Sequence, residues 1–129
     1  MSINFSLVLP CYNEESNIMP LYQEFSKFPL KNEKCELIFV NNGSTDNTGK
    51  KIDEAVDMNK DNKIIIKKIT LDRNKGYGGG IWEGLKISNG KYIGWAHADL
   101  QTPLIDFFKL FTIINGKSKI FGKGFRTNN

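Results

Sequence analysis

The sequence predicts an α/β fold in which a mostly parallel sheet carries helices on both faces. Short apolar segments, typical of buried strands, alternate with longer segments in which apolar residues recur at helical spacing. Polar turns separate the two kinds of segment. Strands that alternate with helices favour parallel pairing, because each helix carries the chain back to the same end of the sheet through a right-handed crossover.

Five short segments that contain apolar residues between polar turns are predicted to be strands. They are residues 5–9, 35–40, 64–70, 92–96 and 118–121. The fourth is expected to be a buried strand, and a carboxylate, Asp99, follows its carboxyl end. Pro103 then stops the extended chain and suits the first turn of a helix.

Four helices are predicted between the strands. The first covers residues 17–28, with Ser16 as its N-cap and Pro29 after its end. The second begins among the capping residues 44–47 and runs to about residue 59. The third covers residues 81–88, follows a glycine-rich loop at 76–80 and is closed by Asn89 and Gly90. The fourth covers residues 103–114.

The composition indicates one soluble domain. The 129 residues are 40% hydrophobic and 25% charged, as in globular proteins. No apolar run approaches the roughly 20 residues that cross a bilayer, and no signal peptide is visible. The two cysteines do not make a disulfide framework, which favours a cytoplasmic location. The net charge of +4 is spread over scattered lysines, so no nucleic-acid partner is expected.

The unusual residues of the chain follow the predicted strands. Parallel strands end at one edge of a sheet, so the loops at 10–15, 41–45, 71–79 and 97–102 are expected to line one crevice, where α/β proteins bind ligands. A hard cation that carries phosphate oxygens prefers oxygen ligands such as those of Asp99 and Gln101. From the residues alone, Asp99 is either such a ligand or a helix cap.

Several nucleotide and catalytic motifs are missing. The turn after the first strand reads Pro10-Cys-Tyr-Asn-Glu14, without the glycines of a dinucleotide-binding fingerprint. There is no P-loop, no nucleophile elbow, and no zinc-site spacing of cysteine and histidine. These absences argue against nicotinamide-dependent dehydrogenases, P-loop ATPases and α/β-hydrolases. The glycine run at 76–80 follows the third strand, where it either lets the backbone approach a ligand closely or forms an ordinary loop.

Four short motifs occur in a fixed order along the chain. They are Leu9-Pro-Cys-Tyr-Asn-Glu14, Val40-Asn-Asn-Gly-Ser-Thr-Asp46, Asn74-Lys-Gly-Tyr-Gly and His97-Ala-Asp-Leu-Gln101. Together they resemble the family 2 glycosyltransferases of the GT-A fold, a Rossmann-like nucleotide-diphospho-sugar transferase fold, and especially the dolichyl-phosphate-mannose-synthase-like branch. The resemblance covers nearly the whole chain. It implies a nucleotide-diphosphate sugar as donor, Mg or Mn as cofactor, and transfer with inversion of the anomeric centre.

The resemblance also implies site residues. The implied donor-binding residues are Pro10, Tyr12, Glu14, Asn42, Lys75, Gly76, His97, Ala98 and Asp99. Asp99 and Gln101 match the metal-binding part of the family motif, and Arg126 matches an acceptor-side arginine.

This chain departs from the family pattern at two of its motifs. Asn41 and Asn42 stand where the family normally has aspartates, and His97 stands where it has the first acidic residue of Asp-x-Asp. His97 therefore either touches the donor, replaces a metal ligand or marks weaker metal dependence.

Residues 1–129 are thus expected to form a single nucleotide-sugar-binding domain whose acceptor part is absent, with the catalytic base beyond Asn129. The expected enzyme is an inverting hexosyltransferase that acts on a polyprenyl phosphate or a glycan. It would serve cell-envelope polysaccharide synthesis at the cytoplasmic face of the membrane, with membrane association through the absent part. The alternative is a non-catalytic nucleotide- or protein-binding module of the same fold.

Overall fold

The computed structural model describes residues 2–116, which form four strands and four helices in strict alternation. In chain order the elements are β1 (Ile3–Cys11), α1 (Ile18–Ser26), β2 (Cys35–Asn42), α2 (Thr48–Met58), β3 (Ile64–Leu71), α3 (Gly76–Ile87), β4 (Gly90–Trp95) and α4 (Ile105–Ile114). The predicted fifth strand at 118–121 and Arg126 lie outside the described residues.

The sheet has the order β3-β2-β1-β4, and every neighbouring pair is parallel. The α/β prediction is therefore confirmed. The expectation that the fourth strand is buried is wrong for residues 2–116. There, β4 pairs with β1 alone, and Ile93 and Trp95 are 45% and 47% exposed. The opposite face of β4 is partly covered, since Phe107 of α4 packs against Gly94.

Two hydrophobic clusters hold helices on opposite faces of the sheet. On one face, Phe5 of β1 lies at the centre of aromatic side chains from α1 and α4, including Phe25 and Phe111. On the other face, Val8 and Val40 pack beneath α3. Helices thus cover both faces, as predicted, and the strand ends remain free to form a site.

The glycine run belongs to α3, which begins at Gly76 rather than at residue 81. Glycine is a poor helix former, so the local sequence favours a loop. The helix forms because Gly80 lies against Asn42 and Pro10, and Gly84 against the sheet, which a larger residue would prevent. Within the described residues, no helix is long and apolar enough to cross a membrane.

Two other helices begin later than predicted. Asn17, not Ser16, is the N-cap of α1, and α4 begins at Ile105 rather than at residue 103.

A buried carboxylate lies at the amino-terminal end of the sheet, away from the strand ends that form the site. Glu36 accepts hydrogen bonds from the Ser6 hydroxyl at 2.6 Å and from the Asn89 N–H at 2.5 Å. The Lys67 ammonium lies 2.8 Å from its other oxygen, a charge contact outside hydrogen-bond geometry. Ser6 also accepts from the Gly90 N–H, so this cluster fixes the turn from α3 into β4.

Candidate functional site

A cleft of about 300 Å³ opens at the carboxyl-terminal edge of the sheet. Its lining residues are Pro10, Cys11, Tyr12, Glu14, Asn42, Asn74, Gly76, Tyr77, His97, Ala98 and Asp99. The loops after β1, β3 and β4 and the end of β2 all contribute. Of the nine predicted donor-binding residues, eight line this cleft, and Lys75 does not. Their binding roles stay predictions.

The loop after β1 is fastened to the loop after β2. Asn13 has a φ of +52°, a left-handed conformation that asparagine tolerates. Its N–H donates to the Ser44 hydroxyl at 3.0 Å, and its side-chain oxygen accepts from the Thr45 N–H at 2.8 Å. The Glu14 N–H donates to the Thr48 hydroxyl at 2.9 Å. These bonds hold the first wall of the cleft, in which Tyr12 presents an exposed ring.

Asp46 supports the same junction. Its carboxylate accepts from the Thr48 N–H at 2.9 Å, from the Thr48 hydroxyl at 2.5 Å and from the Glu15 N–H at 3.4 Å. Partial desolvation favours the neutral acid, but the hydrogen bonds from Thr48 and Glu15 outweigh it and lower the pKa of Asp46. The charged form of Asp46 is therefore part of the folded loop.

Asn42 joins β2 to the start of α3. Its side-chain oxygen accepts from the Lys75 N–H at 2.9 Å, and its side-chain nitrogen donates to the Gly76 carbonyl at 2.8 Å. An amide does both, whereas an ionised carboxylate only accepts, which accounts physically for asparagine at this buried position. Asn42 thus lines the cleft with its amide already engaged by the backbone.

An aromatic pair and a carboxylate form the opposite wall. The rings of Tyr77 and His97 are stacked, with centroids 4.7 Å apart and planes 12° from parallel. Burial, and then the negative charge of Asp99, raise the pKa of Tyr77. Asp99 accepts a hydrogen bond from the Gln101 N–H at 3.0 Å, while the exposed Gln101 side chain is outside the cleft lining.

Lys75, the predicted donor residue outside the lining, forms an ion pair with Glu83 at 3.3 Å on the surface of α3. Hydrogen bonds from Lys86 and then Lys75 lower the pKa of Glu83. In this arrangement the ammonium of Lys75 is directed to Glu83, and its predicted diphosphate contact requires the side chain to leave that pair.

Cys11 lies in the cleft lining, but its thiol is unreactive. Burial, and then the negative charge of Glu14, raise the pKa of its thiol well above the usual range. Its Sγ donates to the Leu9 carbonyl at 3.3 Å. A thiol that stays protonated is a poor nucleophile, so Cys11 is a packing residue.

The predicted site residues do not include Cys11, Asn74 and Tyr77, which line the cleft, or Asn17, which supports it. Tyr77 was named only within a motif, and in the structure it stacks on His97 in the cleft. Asn17 was expected only to start a helix, and instead its side chain bonds to Glu14 and to the Ala98 carbonyl. An aromatic residue inside a glycine run was a visible signal for Tyr77, but no local pattern marks Asn17.

The carboxylate of Asp99 fits a divalent cation that is shared with phosphate oxygens. Within residues 2–116, no group of three or more histidine, cysteine, aspartate or glutamate side chains could enclose a metal ion. Mg²⁺ commonly binds through one or two carboxylates, with phosphates and waters completing its shell. The residues therefore suit a cation that arrives with a phosphorylated ligand and do not suit a metal cage made by the protein alone.

Comparison with known proteins gives one consistent result. Residues 6–122 match the family model described as Glycosyl transferase family 2. The undecaprenyl-phosphate 4-deoxy-4-formamido-L-arabinose transferase of Proteus mirabilis is 37% identical over 99 residues, 76% of this chain and 29% of that protein. The dolichol-phosphate mannosyltransferase of Saccharomyces cerevisiae is 29% identical over 124 residues, 95% of this chain and 45% of that protein. The chain thus spans less than half the length of either relative.

Solved structures share the fold. S. aureus TarS 1–349 in complex with UDP has a TM-score of 0.68 at 24% identity, covering 86% of this chain and 32% of that one. The mannosyltransferase PcManGT from Pyrobaculum calidifontis, in complex with GDP-Man and Mn²⁺, has a TM-score of 0.68 at 17% identity. That match covers 77% of this chain and 28% of PcManGT.

Proposed function

Because the chain belongs to glycosyl transferase family 2, we propose that residues 1–129 form a domain that binds a nucleotide-diphosphate sugar in the cleft at the carboxyl edge of the sheet. The observation that carries the proposal is the lining of this cleft. It combines an exposed aromatic ring and a carboxylate on one wall, Tyr12 and Glu14, with Asp99 on the other. A nucleoside needs an aromatic face and a hydrogen-bond acceptor, and a cation-bound diphosphate needs a carboxylate.

The nucleoside is assigned to the first wall. The Tyr12 ring offers an accessible face on which a base can stack, and Pro10 adds apolar surface beside it. The Glu14 carboxylate can accept a hydrogen bond from a ribose hydroxyl or a base N–H. These residues belong to one loop, and that loop is held by its bonds to Ser44, Thr45 and Thr48.

The diphosphate is assigned to the second wall. Asp99 would hold Mg or Mn, and such a cation, when bound, neutralises negative charge on the departing phosphate. The first turn of α3 begins in the cleft at Gly76 and Tyr77 and has no acidic residue, so its N-terminus favours a phosphate. His97 lies beside Asp99 in the lining and is assigned to the sugar-phosphate part of the donor.

The reaction proposed for the whole protein is inverting transfer of the sugar to a polyprenyl phosphate. Support comes from the names of the relatives, which act on undecaprenyl phosphate and dolichol phosphate. A phosphate acceptor is largely ionised at pH 7, so its oxygen can attack the anomeric carbon while the nucleoside diphosphate leaves. With such an acceptor the general base expected beyond Asn129 is not required. Glu14 and Asp99, the carboxylates of the described cleft, are both already assigned to the donor. This proposal extends to the cytoplasmic membrane face, cell-envelope polysaccharide synthesis and an acceptor-side role for Arg126.

Calorimetric titration of UDP and GDP, each with and without Mn²⁺, tests the proposal. We expect one nucleotide to bind more tightly with Mn²⁺, and Asp99→Asn to remove that gain, because the amide loses the charge that holds the cation. Asp57→Asn, on the exposed surface of α2, is the matched control and should bind as the wild type does.

The competing function is a non-catalytic nucleotide-binding module. The observation that favours it is the chemistry of two positions: Asn42 has its amide engaged by the backbone, and His97 replaces an acidic residue. If the nucleotide affinity changes neither with Mn²⁺ nor with Asp99→Asn, the result would support this module and contradict the donor site proposed above.

A further inference from the structure

The side chain of Asn17 connects the two walls of the cleft. Its nitrogen Nδ2 donates to Glu14 Oε2 at 2.6 Å and to the carbonyl oxygen of Ala98 at 3.2 Å. Glu14 belongs to the loop after β1, and Ala98 to the loop after β4 that carries Asp99. One amide therefore bonds both loops, although 81 positions separate Asn17 from Ala98 in sequence.

The side chain of Asn17 does not cap the helix that begins beside it. It is the N-cap residue of α1, and its carbonyl accepts the Leu21 N–H at 3.0 Å. An N-cap asparagine usually accepts a further bond from a first-turn N–H through its side-chain oxygen. Asn17 makes no such side-chain cap bond. Its side chain therefore serves the cleft loops rather than the helix end.

We propose that Asn17 is a positioning residue that sets the distance between the nucleoside wall and the diphosphate wall. The inference rests on the donor site proposed above. Asn17 holds one oxygen of Glu14 and fixes the backbone immediately before Asp99. Among uncharged side chains only a primary amide fits the task, because a single nitrogen must supply two N–H donors to two acceptors.

The test uses Asn17→Asp and Asn17→Ser in the 129-residue chain. Both replacements are good N-caps, so helix α1 keeps its start, but neither can donate two hydrogen bonds. Serine adds no charge beside Glu14, which guards against repulsion as the cause of any effect. Asn47→Asp is the matched control, since Asn47 is the N-cap of α2, also without a side-chain cap bond, and is not among the residues lining the cleft.

We expect both Asn17 variants to weaken Mn²⁺-dependent binding of UDP or GDP by about three- to tenfold, the effect of losing a typical hydrogen bond. Asn47→Asp should leave the affinity unchanged. A merely structural role at the helix start predicts instead that the cap-competent variants bind as the wild type does.

A second readout needs no ligand. His97 is the only histidine of the chain, so its imidazole proton resonances are unambiguous in an NMR spectrum. His97 precedes Ala98, and loss of the Asn17 bond should shift these resonances in both Asn17 variants but not in Asn47→Asp. Unchanged resonances together with unchanged affinity overturn the inference. If the wild-type chain binds neither nucleotide, the proposed function fails, and the His97 resonances alone decide whether Asn17 couples the loops.

Discussion

Replacing glycine by alanine at two positions of α3 should change stability in opposite directions. A Cβ on Gly84 would overlap Val8 and would also press on Val40, so α3 would have to move off the sheet. A Cβ on Gly78 would meet nothing within 4 Å. Both glycines lie in α3 and both are replaced by alanine. They differ in that the sheet lies directly beneath Gly84 but not beneath Gly78.

The expected magnitudes follow from these surroundings. Gly78→Ala should stabilise the protein by about 0.5–1 kcal/mol, the usual helix-propensity gain. Gly84→Ala gains the same propensity but overpacks a buried contact, which typically costs about 1–3 kcal/mol. The net effect at Gly84 is therefore a destabilisation of about 0.5–2 kcal/mol.

Urea unfolding followed by far-UV circular dichroism measures both free energies of unfolding. The midpoint should rise for Gly78→Ala and fall for Gly84→Ala, with similar slopes, because the surface exposed on unfolding barely changes. If Gly84→Ala proves as stabilising as Gly78→Ala, then α3 does not rest on Val8 and Val40.

Two further predictions concern the cleft and its supporting loop. Tyr77→Ala should move the His97 imidazole proton resonances downfield, because the stacked ring no longer shields them. Tyr77→Phe keeps a ring and should leave these resonances near the wild-type position. Equal shifts in both variants would contradict the stacking. The pKa of Asp46 is lower in the folded state than its unfolded value near 3.9. The ionised carboxylate therefore stabilises the fold at pH values above the unfolded pKa. This contribution is lost as the pH falls through the folded-state pKa. The gap in unfolding free energy between wild type and Asp46→Asn should accordingly be present at pH 7 and shrink as the pH falls below the unfolded value. A gap that stays constant with pH would show that charge at Asp46 is irrelevant.

The positions of the predicted elements followed from local patterns. Strands β1, β2 and β3 differ from prediction by at most two residues at either end. Nearly continuous apolar runs mark β1 and β2, which are buried along most of their length, whereas β3 contains Lys67 and Lys68 and is only partly buried. The prediction of a loop for the glycine run was wrong, because tertiary contacts at Gly80 and Gly84 override weak helix propensity. The prediction that β4 is buried was wrong, because apolar composition does not reveal which neighbours a strand has.

What the sequence determined by itself was the alternation of strands and helices, and with it the edge at which ligand-binding residues must gather. That follows from hydrophobic periodicity and from parallel strands ending together. Only the tertiary structure decided how the residues at that edge are used. It pairs Lys75 with Glu83, stacks Tyr77 on His97 and spans the cleft with Asn17. The physical reason is that side-chain hydrogen bonds and ring contacts join residues far apart in sequence, and no local pattern encodes their distance.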